Sequence, residues 1–222
     1  MIKKKSFLVV GLGRFGASVA LTLARSNCDV LAVDIDEEAV ASIAKEITHS
    51  VIADSTKMSV LEKLGAKGVD HAVVAIGNNL EASILTIVNL KKLGVKKITV
   101  RADNENYKEI FTLVGATEVV VPEEDFGEAF GNQIKSDSIM DYYFITDDHA
   151  MAQISVSVDF EGKNLKELDL RNSFNINIVG IIRNDKFFIP LWSDSLIKGD
   201  IVVVAGKDKD ISKIDNYLNH EK

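Results

Sequence analysis

The sequence predicts an α/β protein: a doubly wound parallel sheet over residues 1–122, then a small α+β domain over residues 147–222. Three observations carry this. Short runs rich in Val and Ile recur through the first part with little polar alternation, as strands buried on both faces do. Longer stretches with helical spacing separate them. From about residue 147 the runs alternate apolar and polar residues, the pattern of half-exposed antiparallel strands.

The apolar runs are FLVVG (7–11), DVLAVD (29–34), SVIAD (50–54), HAVVAI (71–76), KITVRA (97–102) and EVVVP (118–122). Helical stretches fall at 14–26, 36–47, 57–65, 79–93 and 104–114. Gly65, Gly94 and Gly115 stand where helix C-termini want glycine. Right-handed crossovers between such strands give the order 3-2-1-4-5-6, a Rossmann-type sheet with helices on both faces.

Residues 123–146 read as a crossover and dimerisation helix with a linker. EED (123–125) follows Pro122, and acidic residues suit a helix N-terminus. The stripe Phe126, Phe130 and Ile134 must be buried, either on its own domain or against a second copy. Beyond 147, AMAQISVSVD (150–159), INIVGIIR (176–183), KFFIPL (186–191) and DIVVVAG (200–206) read as strands, and NDK (184–186) as a hairpin turn. NLKELDL (164–170) and DISKIDNYL (210–218) read as helices. A core of about 75 residues is marginal alone, which favours pairing with a second copy.

The chain has 222 residues and a net charge of −7, which argues against nucleic acid as a partner. Lys3–Lys5 is a compact basic run that reads as a solvated edge. The single cysteine, Cys28, permits no internal disulfide, fits a reducing compartment and reads as a small hydrophobe. A signal peptide is not expected, and no stretch approaches the roughly 20 apolar residues of a membrane helix. The expectation is a soluble protein that meets a membrane only through a partner.

VVGLGRFGAS (9–18) holds the chemistry. Gly11 permits a tight turn, Gly13 a close backbone approach to a pyrophosphate, and Gly16 close packing of the first helix on the sheet. Asp34 ends the second strand 18 residues after Gly16, placed to accept a ribose 2′-hydroxyl and repel a 2′-phosphate. NAD, ATP and ADP stay open. Arg14 favours ADP or ATP, because a guanidinium fork pairs with a terminal phosphate; the other reading is a surface arginine. Asp54 and Ser55 line the adenosine side or cap the next helix, and Gly77, Asn78 and Asn79 face the phosphates. His49, His71, His149 and His220 read as satisfied or solvated, and no metal-ligand spacing or nucleophile motif appears. No catalytic residue is assigned. The site reads as a sensor, with a small NAD-dependent oxidoreductase as the alternative.

In order, FLVVGLGRFGASVALTLA, DVLAVDIDEEAV, VIADST, VVAIGNNLEASILTIVNLKKLG, VRA and GATEVVVPEEDFG resemble the RCK proteins. These are cytosolic regulatory subunits of Trk/Ktr potassium-uptake channels, and the likeness, to the Ktr type, spans about 5–215. The resemblance implies a Rossmann N-lobe, a crossover helix and a C-lobe. It implies homodimers assembled into an octameric ring beneath a membrane-embedded channel subunit of the KtrB/TrkH kind, at the inner face of the cell membrane. ATP then favours the active channel and ADP the inactive one. It implies nucleotide contacts from Gly11, Gly13, Arg14, Phe15 and Gly16, from Asp34 and Ile35, and from Asp54 and Ser55. Ile76, Gly77, Asn78, Asn79 and Arg101 match the opposite wall. Glu123 matches a carboxylate associated with a divalent cation, Mg2+ or Ca2+; from the residues alone it is a helix N-terminal acid. The C-lobe of similar proteins binds cyclic di-AMP, which here implies Arg171 at a phosphate and Leu165, Asn177 and Pro190 at the base. Lys166 and Ser173 depart from that pattern, and a plain dimer interface is the other reading.

Overall fold

The structure, a computed structural model, describes residues 4–47, 49–160 and 162–220. The chain divides into two compact units, residues 1–124 and 125–222.

In the first unit, β1 (Ser6–Val10), β2 (Asp29–Asp34), β3 (His49–Ile52), β4 (His71–Val74), β5 (Ile98–Arg101) and β6 (Glu118–Val120) form one sheet. All pairings are parallel, in the order β3-β2-β1-β4-β5-β6. The crossovers are α1 (Arg14–Arg25), α2 (Glu37–Ile43), α3 (Met58–Lys63), α4 (Leu80–Lys92) and α5 (Asn106–Val114). Burial explains the missing alternation. Leu8 and Val10 of β1 join Val74, Ile87, Leu90 and Val100 on one face. Val9 joins Ala20, Ala32, Val40 and Ile43 on the other. Either face would strand a polar side chain away from water.

The glycine turn fixes where α1 sits. Gly11 adopts φ +87°, and a Cβ there would lie 2.4 Å from the Ala75 carbonyl oxygen. A Cβ on Gly16 would lie 1.8 Å from the Gly11 carbonyl oxygen. Gly11 belongs to this turn, so β1 ends one residue earlier than its apolar run suggests.

In the second unit, β7 (Ile139–Thr146), β8 (His149–Ser155), β9 (Ile176–Arg183), β10 (Lys186–Phe188) and β11 (Ile201–Lys207) form an antiparallel sheet. Its order is β10-β9-β11-β8-β7. The long helix α6 (Pro122–Ile134) precedes it in the chain, and three further helices follow β8: α7 (Leu165–Leu168), α8 (Leu170–Phe174) and α9 (Asp208–Asn219). Ile211, Ile214 and Leu218 form one stripe of α9 and are fully buried among Ala152, Ile154, Val202 and Val204. Asn184 and Asp185 both take positive φ, so the turn between β9 and β10 has the twist a two-residue hairpin needs.

Three local expectations change. Residues 139–146, read as linker, are the edge strand β7. Register shifts at Ile139/Asp141 and Phe144/Thr146 break its period of two, and Met140, Tyr143, Phe144 and Ile145 face outward, so no alternation shows. The hydroxyl of Tyr142 nevertheless donates to Asp208 and ties β7 to α9. The helix expected at 164–170 breaks at Asp169, where φ is +43°, and α8 follows. The run 186–191 is a strand only to Phe188; Pro190 has no N–H to give a ladder.

One ion pair secures the second unit. Asp200 is 1 % exposed. The Arg183 guanidinium donates to both its oxygens at 2.7 Å, and Ile197 N–H adds a third bond at 3.0 Å. Removing the cation leaves a buried carboxylate uncompensated. Arg183→Met is therefore expected to destabilise the protein by about 3 kcal/mol, read from urea unfolding. A wild-type midpoint would contradict this account.

Candidate functional site

The carboxyl ends of β1 to β5 open onto a cavity of about 770 Å³, a size typical of small-ligand clefts. It lies where the strand order reverses between β1 and β4, the switch point at which such sheets hold ligands. From the first turn it is lined by Gly11, Gly13, Arg14 and Phe15. Asp34 and Ile35 line it after β2, and Asp54 and Ser55 after β3. Ile76, Gly77 and Asn79 follow β4, and Arg101 and Glu123 complete the wall. Two expected residues are not in the lining. Gly16 lies beneath the turn, against Gly11, and Asn78 is exposed outside it. The sequence reading missed Asp36, Thr56 and several alanines. Asp36 carried a signal, an Asp before two glutamates at a helix start; the alanines carry no chemistry to read.

The lining combines bonded carboxylates with free cationic and N–H groups. Asp34 Oδ2 accepts the Leu12 N–H at 2.5 Å, and its Oδ1 accepts the Asp36 N–H at 2.9 Å. Its carboxylate thus clasps the glycine turn to the start of α2. Asp54 accepts from the Thr56 hydroxyl at 2.6 Å and its N–H at 3.0 Å. That hydroxyl is the main reason its carboxyl lies below the usual range. The Ser55 hydroxyl pairs with Thr86 at 2.9 Å. Neither residue caps α3, which starts after Lys57 without a side-chain cap, so the capping alternative for this pair does not hold.

Other features of the lining favour an anion. α1 has no side-chain cap and no acid in its first turn, so its free N–H groups and dipole face the cavity mouth unopposed. Gly13 has φ −62°, which any residue adopts, and a Cβ there would meet nothing within 4 Å. Folding does not require this glycine; a side chain would only fill cavity space. Arg14 is exposed and has no hydrogen bond or ion pair among the described residues. Arg101 lies 2.8 Å from Asp103 and 2.6 Å from Glu123, and its Nε is a buried donor without a partner among the described residues. Its hydrogen bond holds the Glu123 carboxyl below the usual range. No cluster of three or more metal-ligating side chains occurs among the described residues. Asn79 lines the cavity, but its side-chain oxygen caps α4 on the Ala82 N–H at 2.9 Å.

The second unit holds a smaller cavity of about 120 Å³. Leu165, Arg171, Asn177 and Pro190 all line it, together with Trp192, which the sequence reading missed. On α6, the rings of Phe126 and Phe130 stack at 5.9 Å, yet no residue of that helix is buried. The stripe is therefore not covered by its own domain among the described residues. No histidine lines either cavity. His71 bonds Thr99 at 2.8 Å, with burial pushing its imidazole down, and His149 pairs with Asp148 at 2.6 Å.

The TrkA-N domain family matches residues 7–122, and the TrkA-C domain family matches residues 151–219. The chain belongs to the TrkA family. Ktr system potassium uptake protein C of Bacillus subtilis (strain 168) is 40% identical over 99% of this chain and 100% of that protein. Ktr system potassium uptake protein A of the same organism is 33% identical over 97% of each. Among solved structures, the GsuK channel bound to NAD superposes with a TM-score of 0.67 at 17% identity. This chain covers 40% of that one, and the likeness shows a shared fold alone. The TrkA-N match spans the six-stranded parallel sheet, and the TrkA-C match spans the antiparallel sheet from within β8 onward.

The two glycines should separate by substitution. Gly16→Ala is expected to cost about 2 kcal/mol or more through the collision with Gly11. Gly13→Ala is expected to leave the thermal unfolding midpoint near wild type. Equal losses would mean that internal packing sets Gly13 as well.

Proposed function

We propose that this chain is a nucleotide-sensing gating subunit of a potassium-uptake channel, and that it binds ATP or ADP in the first cavity. The observation that carries this reading is Arg14, a guanidinium free of partners among the described residues, at an uncapped helix N-terminus on the cavity wall. Backbone N–H groups suffice for the diphosphate of NAD. A free guanidinium adds most where a terminal phosphate needs a fork. Asp34 keeps lone pairs for ribose hydroxyls beyond those its two backbone donors use.

The same features support sensing over hydride transfer. A dehydrogenase needs an acid or base beside the reacting carbon. Here Asp34, Asp54 and Glu123 are each already bonded to groups of this chain. The relatives named as Ktr potassium uptake proteins support a membrane-embedded channel subunit as the partner, with this chain at the cytoplasmic face. The exposed Phe126, Phe130 and Ile134 stripe supports a homodimer through α6, from which a ring is built. In the second unit, the convergence of Arg171 with Leu165, Asn177 and Pro190 supports cyclic di-AMP. The small cavity takes one base, and a symmetry mate supplies the other half. At Glu123, a divalent cation beside the nucleotide would meet a carboxylate that Arg101 also holds.

Thermal shift of the purified chain with ATP, ADP, NAD and NADH tests the reading. Stabilisation by ATP and ADP is expected; stabilisation by NADH alone would favour the oxidoreductase alternative. Arg14→Ala is expected to weaken ATP about tenfold, the size of a lost charged hydrogen bond, and ADP much less. Equal losses would remove Arg14 from the discrimination.

A further inference from the structure

Arg101 ends β5 and shares the cavity wall with Glu123. Its side chain is 16 % exposed. Nη1 faces Asp103 and Nη2 donates to Glu123, while Nε, also buried, has no partner among the described residues. One cation therefore serves two carboxylates with a donor to spare, and the corner is net negative. At Gly77, in the turn after β4, no side chain intervenes: a Cβ there would lie 3.6 Å from Nη1. Glu123 sits in the first turn of α6, one residue before the first unit ends.

A guanidinium with an open donor beside a cleft that takes phosphates is available to a better anion. Phosphate offers more acceptor oxygens than one carboxylate and matches the fork. Resting on the nucleotide reading, we propose that Arg101 is a positioning residue shared between the bound phosphates and Glu123. Phosphate binding draws the guanidinium off Glu123 and frees the start of α6 from β5. The ion pair and the charge of Glu123 both oppose the phosphates. Deleting that carboxylate thus strengthens binding although Glu123 lines the cavity, the reverse of what loss of a contact residue does.

The test is calorimetric titration of ATP and ADP, in EDTA, into wild type, Glu123→Gln, Arg101→Ala and the double variant. Glu123→Gln is expected to bind about fivefold tighter, the scale of a partly exposed ion pair. Arg101→Ala is expected to bind about tenfold weaker, and the gain from Glu123→Gln is expected to vanish in the double variant. Unchanged or weaker binding by Glu123→Gln, or a gain that persists without Arg101, overturns the shared guanidinium and leaves the nucleotide reading standing. Failure of the wild type to bind either nucleotide overturns both. If Arg101→Ala does not fold, the direction of change in Glu123→Gln alone decides.

Discussion

Everything at the mouth of the first sheet depends on how closely α1 approaches β1 and β4. Gly16 rests against the Gly11 carbonyl, and Gly11 against the Ala75 carbonyl, with no room for a Cβ at either. That contact aims the open end of α1 across the ends of neighbouring strands. It also brings the Leu12 N–H onto the Asp34 carboxylate, which in turn receives the Asp36 N–H. One packing constraint thus orders the glycine turn, the end of β2 and the start of α2 together.

The cavity that results brings both signs of charge together. Carboxylates already bonded to backbone or hydroxyl donors line it, and so does an uncapped helix end with Arg14. Helix macrodipoles and guanidinium groups act over a few ångströms, so position matters more than net charge. A chain with a net charge of −7 can still present an anion site. In the proposed reading Arg14 distinguishes the last phosphate. Arg101 then links the same phosphates to the first turn of α6, through which the chain leaves the first unit.

The second unit relies on a different balance. Its sheet is covered by the apolar stripe of α9 and anchored by the buried Asp200 with Arg183. Its remaining apolar surface is conspicuous: Phe187, Ile189, Leu191 and Trp192 are all more than half exposed, as are Phe126 and Ile134 of α6. Patches of this kind mark surfaces made for another molecule.

The sequence by itself determined the parallel sheet and its order, because strands buried on both faces cannot hide their Val and Ile runs. It determined the glycine turn too, since the positive φ of Gly11 and the contact of Gly16 with the Gly11 carbonyl are local in the chain. The pairing of β7 was not legible, because its bulges and outward aromatic residues erase the period that a strand is read by. Nor was the role of Asp36, whose helix-start signal says nothing of the carboxylate it orients. Only the tertiary structure decided that Gly13 borders open space while Gly16 does not, that Ser55 turns to Thr86, and that Arg101 is divided between Asp103 and Glu123. Most of these are contacts between residues distant in the chain or facts about empty space. Neither leaves a periodic trace in the order of amino acids.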